Sequence, residues 1–158
     1  MIKIAIVSDL SGFPLKTAVV AHLSEREDLE IIDFGIESEE HPRPYVEQAP
    51  KVAKAIQSGR ADRGIMICGT GQGMAIVANK FKGIYAVVAD GIFSGERGKI
   101  INNANVLTMG GWITAPFLGI QIVDAWLSVG FTEKMEFKQE FLTNAFNQVK
   151  EIEEDNFK

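Results

Sequence analysis

The stretch Gly64-Ile65-Met66-Ile67-Cys68-Gly69-Thr70-Gly71-Gln72-Gly73-Met74-Ala75-Ile76-Val77-Ala78 decides the fold. Its first five residues are uncharged and nearly all large and apolar, as in a strand covered on both faces, the habit of parallel sheets. The glycines at 69, 71 and 73 turn the chain. Residues 74–81 then read as a helix. Strand, glycine turn and helix in this order form the first half of a right-handed crossover unit.

The same alternation runs outward in both directions. Upstream, residues 2–7 read as a strand, and residues 13–26 as a helix with Leu15, Val19, Val20 and Leu23 on one stripe and Pro14 in its first turn. Residues 29–34 form a second strand. Residues 36–44 carry two prolines and polar side chains, so they are a loop. Residues 45–57 form a second helix closed by Ser58-Gly59; Pro50 sits late for a first turn and predicts a kink or a start near Ala49. Downstream come a strand at 84–89, a helix at 93–104, a strand at 106–109 and a helix at 116–129. The expectation is one α/β domain over residues 1–158, a three-layer α/β/α sandwich around a Rossmann-like, five-stranded parallel sheet. A last helix, about 132–155, stands outside that scheme. Its Phe137, Phe141, Leu142, Ala145, Phe146 and Val149 keep helical spacing although the sheet is complete, so this stripe is expected on a partner subunit, with packing on its own domain as the alternative.

Composition narrows the function. The 158 residues include 46% hydrophobic side chains, enough for one packed core. The net charge of -5 repels nucleic-acid backbones, so no nucleic-acid partner is expected. A small phosphorylated metabolite remains compatible, because local backbone amides can hold an anion against the overall field. The single cysteine cannot form an internal disulfide, which fits a reducing, cytoplasmic setting. No leader pattern and no membrane-length apolar run is visible, so no membrane partner is expected. His22 and His41 lack metal-ligand spacing, so neither a metal nor any other cofactor is expected.

Ligands of open parallel sheets bind beyond the carboxyl ends of the strands. The richest such end is residues 68–73. Glycines there let backbone N–H groups meet an anion at a helix start, and no Gly-Lys-Ser/Thr follows to make it a nucleotide loop. A thiol at a helix N-terminus can serve as a reactive thiolate, while a free cysteine is most often a small buried hydrophobe. Position alone leaves both readings open for Cys68. Asp9 places a carboxylate after the first strand, at another of these strand ends. His41 and Arg43, in the loop after the second strand, either reach a phosphate from the neighbouring strand end or form an exposed pair.

The block 68–73 with Ala78-Asn79-Lys80 resembles the signature of the ribose-5-phosphate isomerase type B and galactose-6-phosphate isomerase family. Residues 8–13, the run Asn102 to Leu107 and the run Val123 to Leu127 extend the resemblance over about residues 2–130. It implies an aldose–ketose isomerase of a small phosphorylated sugar that works through an enediol, and with the apolar stripe of the last helix the expected assembly is a homodimer or tetramer. By position, Cys68 resembles the base and Thr70 its assistant. Gly69, Gly71 and Gly73 resemble the amide cradle for the oxyanion, and Asp9 and Asn102 resemble sugar contacts. The chain also departs from the pattern. Leu10 and Ile101 stand where the family has histidines, the latter the ring-opening one. Gln48 replaces a tyrosine. Where two phosphate-gripping arginines are expected there are only Lys134 and Lys138. An open-chain substrate fits these losses. A weakly active subunit of a two-chain isomerase and a non-enzymatic sugar-phosphate binder are the alternatives.

Overall fold

The computed structural model describes residues 1–157. Five strands, β1 (Ile2–Ser8), β2 (Leu29–Asp33), β3 (Arg63–Cys68), β4 (Ala86–Val88) and β5 (Val106–Gly110), form one sheet in the order β2-β1-β3-β5-β4, every pair parallel. Helices α1 (Phe13–Leu23), α2 (Tyr45–Gln57), α3 (Gln72–Ala78), α4 (Ile92–Asn102) and α5 (Pro116–Leu127) make the crossovers, and α6 (Gln139–Asn156) follows. The α/β/α sandwich is as the sequence predicts. Element ends shift by a few residues.

Alternate strand residues feed two cores. Ile4, Ile6, Ile65, Ile67, Leu107 and Met109 pack under α1 and α5 against Leu15, Val19, Ile122 and Trp126. Ala5, Val7, Met66, Cys68 and Val106 pack under α2 and α3 against Val52, Ala53, Met74 and Ala78. Both faces are covered, which is why the strands read as continuous apolar runs. No helix among the described residues is long and apolar enough to cross a membrane.

α2 begins at Tyr45 and runs through Pro50 without ending there. The proline takes a helical donor from the carbonyl of Val46, and Val46 lies on the exposed face. The last helix starts later than the sequence suggests. Thr132 and Lys134 have φ of 65° and 62°, left-handed backbone that no α-helix accommodates, so residues 131–134 are turns. A short 3₁₀ turn (Glu136–Lys138) leads into α6.

α6 lies beside β4. Phe146 meets the ring of Tyr85 edge-on at 5.1 Å and that of Phe131 at 5.5 Å. Glu153 accepts from the Gly83 N–H at 2.6 Å and from the Tyr85 hydroxyl at 3.0 Å. Burial and this carboxylate push the Tyr85 phenol up to about 12. Leu142 is buried, whereas Phe137, Phe141 and Ile152 face outward. β4 itself is held on its open side by Asn79. That side chain accepts the Ala86 N–H at 2.8 Å and donates to the Ala86 carbonyl at 3.0 Å.

Candidate active site

β3 ends at Cys68, opposite Gly110 of β5. Beyond that pair the two chains stay in register, with the Gly111 N–H donating to the Cys68 carbonyl at 2.7 Å and the Trp112 N–H to the Gly69 carbonyl at 3.0 Å. Three strand tips crowd together because glycines remove the side chains between them. A Cβ on Gly12 would collide with the Ile67 carbonyl, and one on Gly73 would stand 2.7 Å from the Tyr45 ring.

Gly71 sets the direction of the thiol. Its φ of 80° is left-handed, and a Cβ there would lie 2.9 Å from the Met109 backbone. That backbone turn sends the Gly71 N–H to the Cys68 Sγ at 3.1 Å. The buried Thr108 hydroxyl holds the other end of the residue, donating to the Gly71 carbonyl at 2.9 Å. The sulfur is therefore fixed by an amide that is fixed by β5.

The sulfur is not sealed in. Cys68 is 5% exposed and lines a cleft of about 270 Å³ with Asp9, Ser11, Tyr45, Gly69, Thr70, Gly73 and Trp112. Asp9 enters from the tip of β1, where its N–H donates to the Ile67 carbonyl at 3.2 Å and its carboxylate accepts the Gly12 N–H at 3.0 Å. Burial raises the Asp9 carboxyl above the ordinary carboxylate range, and the Gly12 and Ser11 amides partly offset this. The Thr70 hydroxyl accepts the Gln72 N–H at 3.3 Å.

The structure thus gathers Asp9, Cys68, Gly69, Thr70 and Gly73 in one cleft, with Gly71 behind the sulfur. It does not bring the remaining candidates there. Asn102 ends α4, just before β5 begins, and so lies at the amino rim of the sheet. There it lines a cavity of about 310 Å³ with Ile101, Tyr85, Phe141 and Phe146. His41 and Arg43 line a third cavity, about 290 Å³, with Gln48 and Lys51. Lys134 pairs with Glu96 of α4. Lys138 borders a broad depression at the start of α6. His22 pairs with Asp124 at 2.9 Å, bridging α1 and α5.

Sequence reasoning did not single out Tyr45 and Trp112, whose rings wall the cleft. The signal for Trp112 was present: it follows the Gly110-Gly111 pair at a strand tip, where side chains meet ligands. At the amino rim, Lys99 is 8% exposed and donates to Asn103 Oδ1 at 2.8 Å. Burial, and then the nearby Arg63 charge, press its ammonium down to about 8.

Comparison with known proteins agrees with this architecture. Residues 4–147 match the family model described as Ribose/Galactose Isomerase. A 4-deoxy-4-sulfo-D-erythrose isomerase from a Clostridium species is 49% identical over 153 residues, 96% of each chain. Ribose-5-phosphate isomerase B of Escherichia coli is 45% identical over 131 residues, 83% of this chain and 87% of that one. The solved ribose-5-phosphate isomerase B of Clostridium thermocellum superposes with a TM-score of 0.88 at 36% identity, covering 98% of this chain and 99% of that one. A thiol-bearing strand tip on this sheet order, matched along nearly its whole length, places the chain in the ribose/galactose isomerase family as an aldose–ketose isomerase.

Proposed function

We propose that the protein interconverts a four-carbon aldose and its ketose, each carrying a sulfonate on C4, through an enediol. The observation that carries this reading is a retained thiol site combined with a lost ring opener. Cys68, Thr70 and Asp9 share a cleft, while Ile101 occupies the place of the ring-opening histidine. A tetrose with sulfur on C4 has no C4 hydroxyl and cannot close a furanose ring. It reaches the enzyme open, and a ring-opening acid has nothing to do. The relative named for such a substrate matches 96% of this chain. The missing arginines fit as well. A sulfonate carries one negative charge, whereas a phosphate monoester carries about -1.5 to -2 at pH 7, so fewer cations are needed to hold it.

The reaction follows from the site. The Cys68 thiolate removes the proton from C2 of the aldose. The C2–H electrons form the C1–C2 double bond, and the carbonyl electrons move onto O1. The amide of Gly73, in the first turn of α3, has no helical acceptor and stabilises that oxyanion. The Gly71 amide orients the sulfur instead. Thr70 passes a proton between O2 and O1, and Asp9 holds the C3 hydroxyl. Return of the thiol proton to C1 completes the ketose, with nothing gained or lost overall.

Cys68 and Asn102 lie on opposite rims of one sheet. If Asn102 contacts sugar, it does so in the cleft of a second copy. A homodimer, alone or within a tetramer, supplies that, and the exposed Trp112, Phe117 and Phe93 near the carboxyl rim give it an apolar surface to bury.

The test is solvent exchange in D₂O. Wild-type protein with 4-deoxy-4-sulfo-erythrulose should incorporate deuterium at the carbon beside the carbonyl and form the aldose. Erythrose 4-phosphate should react more slowly. Faster turnover of ribose 5-phosphate or galactose 6-phosphate than of the sulfonated tetrose would refute the assignment.

A further inference from the structure

Gln48, on the wall of a second cavity at this rim, carries a buried donor without a partner. Gln48 is 0% exposed, and its Nε2 finds no acceptor among the described residues. Its orientation is fixed chemically. Lys51 Nζ approaches Oε1 at 3.3 Å, and an ammonium can only donate, so the oxygen faces Lys51 and the NH₂ must point elsewhere. Lys51 also donates to the Phe34 carbonyl at 3.1 Å, which pins it in place. The cavity, about 290 Å³, is lined by Gln48 and Lys51 from α2, and by His41, Arg43, Ser38 and Glu37 from the loop after β2. A buried amide without a partner costs about 1–3 kcal/mol, and an acceptor arriving with a ligand removes that cost.

The fold aligns this cavity with the reaction cleft. The tips stand in the order β2, β1, β3. Strands are about 4.8 Å apart, so the tips of β2 and β3 are about 10 Å apart, with Asp9 on β1 between them. Tyr45 lines the cleft and Gln48 the cavity; residues three apart on a helix are neighbours, about 5–6 Å between Cβ atoms. An extended four-carbon chain with its carbonyl at Cys68 and its hydroxyls over Asp9 carries its C4 substituent toward the β2 tip, where Arg43 lines the cavity.

We propose that this cavity is the subsite for the substrate's terminal sulfonate, held by Gln48 Nε2 and Arg43 from within the same chain. The proposal rests on the reading of the substrate as an anionic open-chain tetrose. Three sulfonate oxygens suit a neutral amide donor plus a guanidinium. Glu37 at the same cavity opposes a second negative charge and favours the monoanion over a phosphate.

The experiment compares Arg43→Gln and Gln48→Glu with wild type on three substrates: 4-deoxy-4-sulfo-erythrose, erythrose 4-phosphate, and the neutral 4-deoxy-erythrose, which also cannot cyclise. Gln48→Glu keeps the shape and replaces the donor with an anion. Arg43 is exposed, so its replacement leaves folding intact if the buried variant fails. Both variants should raise KM for the sulfonated sugar by about tenfold to a hundredfold, with its kcat and the turnover of 4-deoxy-erythrose unchanged. Equal losses on the charged and neutral sugars, or an unchanged KM for both charged ones, would overturn the subsite. Wild type that turns over only the phosphate, with KM raised in both variants, would keep the cavity as an anion subsite while rejecting sulfonate as its ligand. Calorimetric titration with propane-1-sulfonate reads the subsite without turnover: wild type should bind it and Arg43→Gln should bind at least tenfold more weakly.

Discussion

The two rims of the sheet are built from different materials. At the carboxyl rim, backbone does the positioning: Gly71 aims its amide at Cys68, Gly12 and Gly73 let neighbouring segments touch, and Thr108 anchors the turn from the adjacent strand. At the amino rim, side chains dominate. Ile101, Asn102, Lys99 and Asn103 fill the space at the end of α4. Backbone positioning tolerates little change, because each contact is fixed by the absence of a Cβ or by a special φ. Side-chain positioning can be altered one residue at a time. The departures from the family pattern are all side chains and fall at both rims: Leu10 and Gln48 stand near the carboxyl rim, Ile101 and the segment from Met135 to Gln139 away from it, while the glycine turn is intact.

Substitutions on the two rims put this contrast to the test. The largest effect belongs to Cys68→Ala, which should lower kcat by about 10²–10⁴-fold, the usual weight of a general base, with Tm nearly unchanged; a residual rate within tenfold of wild type would remove the thiol from the mechanism. Gly71→Ala comes next. Left-handed backbone on a non-glycine residue costs about 1–3 kcal/mol, and each kcal/mol lowers Tm by roughly 2–4 °C in a chain of this size. Because the sulfur also loses its orienting amide, kcat should fall with Tm, as thermal melts and kinetics on one preparation would reveal.

At the amino rim the effects should be smaller. Ile101→His should improve activity on ring-forming sugar phosphates by about tenfold, well below the full range for acid–base catalysis, and leave open-chain substrates unaltered. Comparable gains on both classes would contradict the ring-opening account. The least effect concerns Lys99. Its folded pKa, about 8, lies below the unfolded 10.5, so between these values the unfolded chain binds more protons and stability rises with pH. Urea unfolding between pH 7 and 10 should show this rise, at most about 1.4 kcal/mol per pH unit, and Lys99→Met should flatten it.

The sequence made the contrast half visible. Strands covered on both faces show as unbroken apolar runs, so β1, β3 and β5 were plain, and Cys68 could be placed at a strand tip from the glycines that follow it. The start of α6 was not readable, because nothing in Thr132 or Lys134 announces left-handed backbone. Nor was the insertion of β5 between β3 and β4, since strand order is set by which strands pair in the assembled sheet and leaves no mark on the local pattern. Asn102 could be matched to a family position but not located: its distance from Cys68 is a property of the assembled sheet. Gln48 read as a lost tyrosine, and only packing shows that its amide is left without an acceptor. The residues that could be read act through the chain's own path. Those that could not depend on neighbours far away in sequence.

The clamp of Asn79 on Ala86 has one further consequence. β4 borders the sheet and is only three residues long, and a bordering strand offers unpaired N–H and C=O groups to any passing chain. The carboxamide occupies one such pair, imitating the next strand without being one. A residue that reads as part of an isomerase signature thereby guards against polymerisation through backbone pairing, and its loss would show as self-association in concentrated solution before it showed in catalysis.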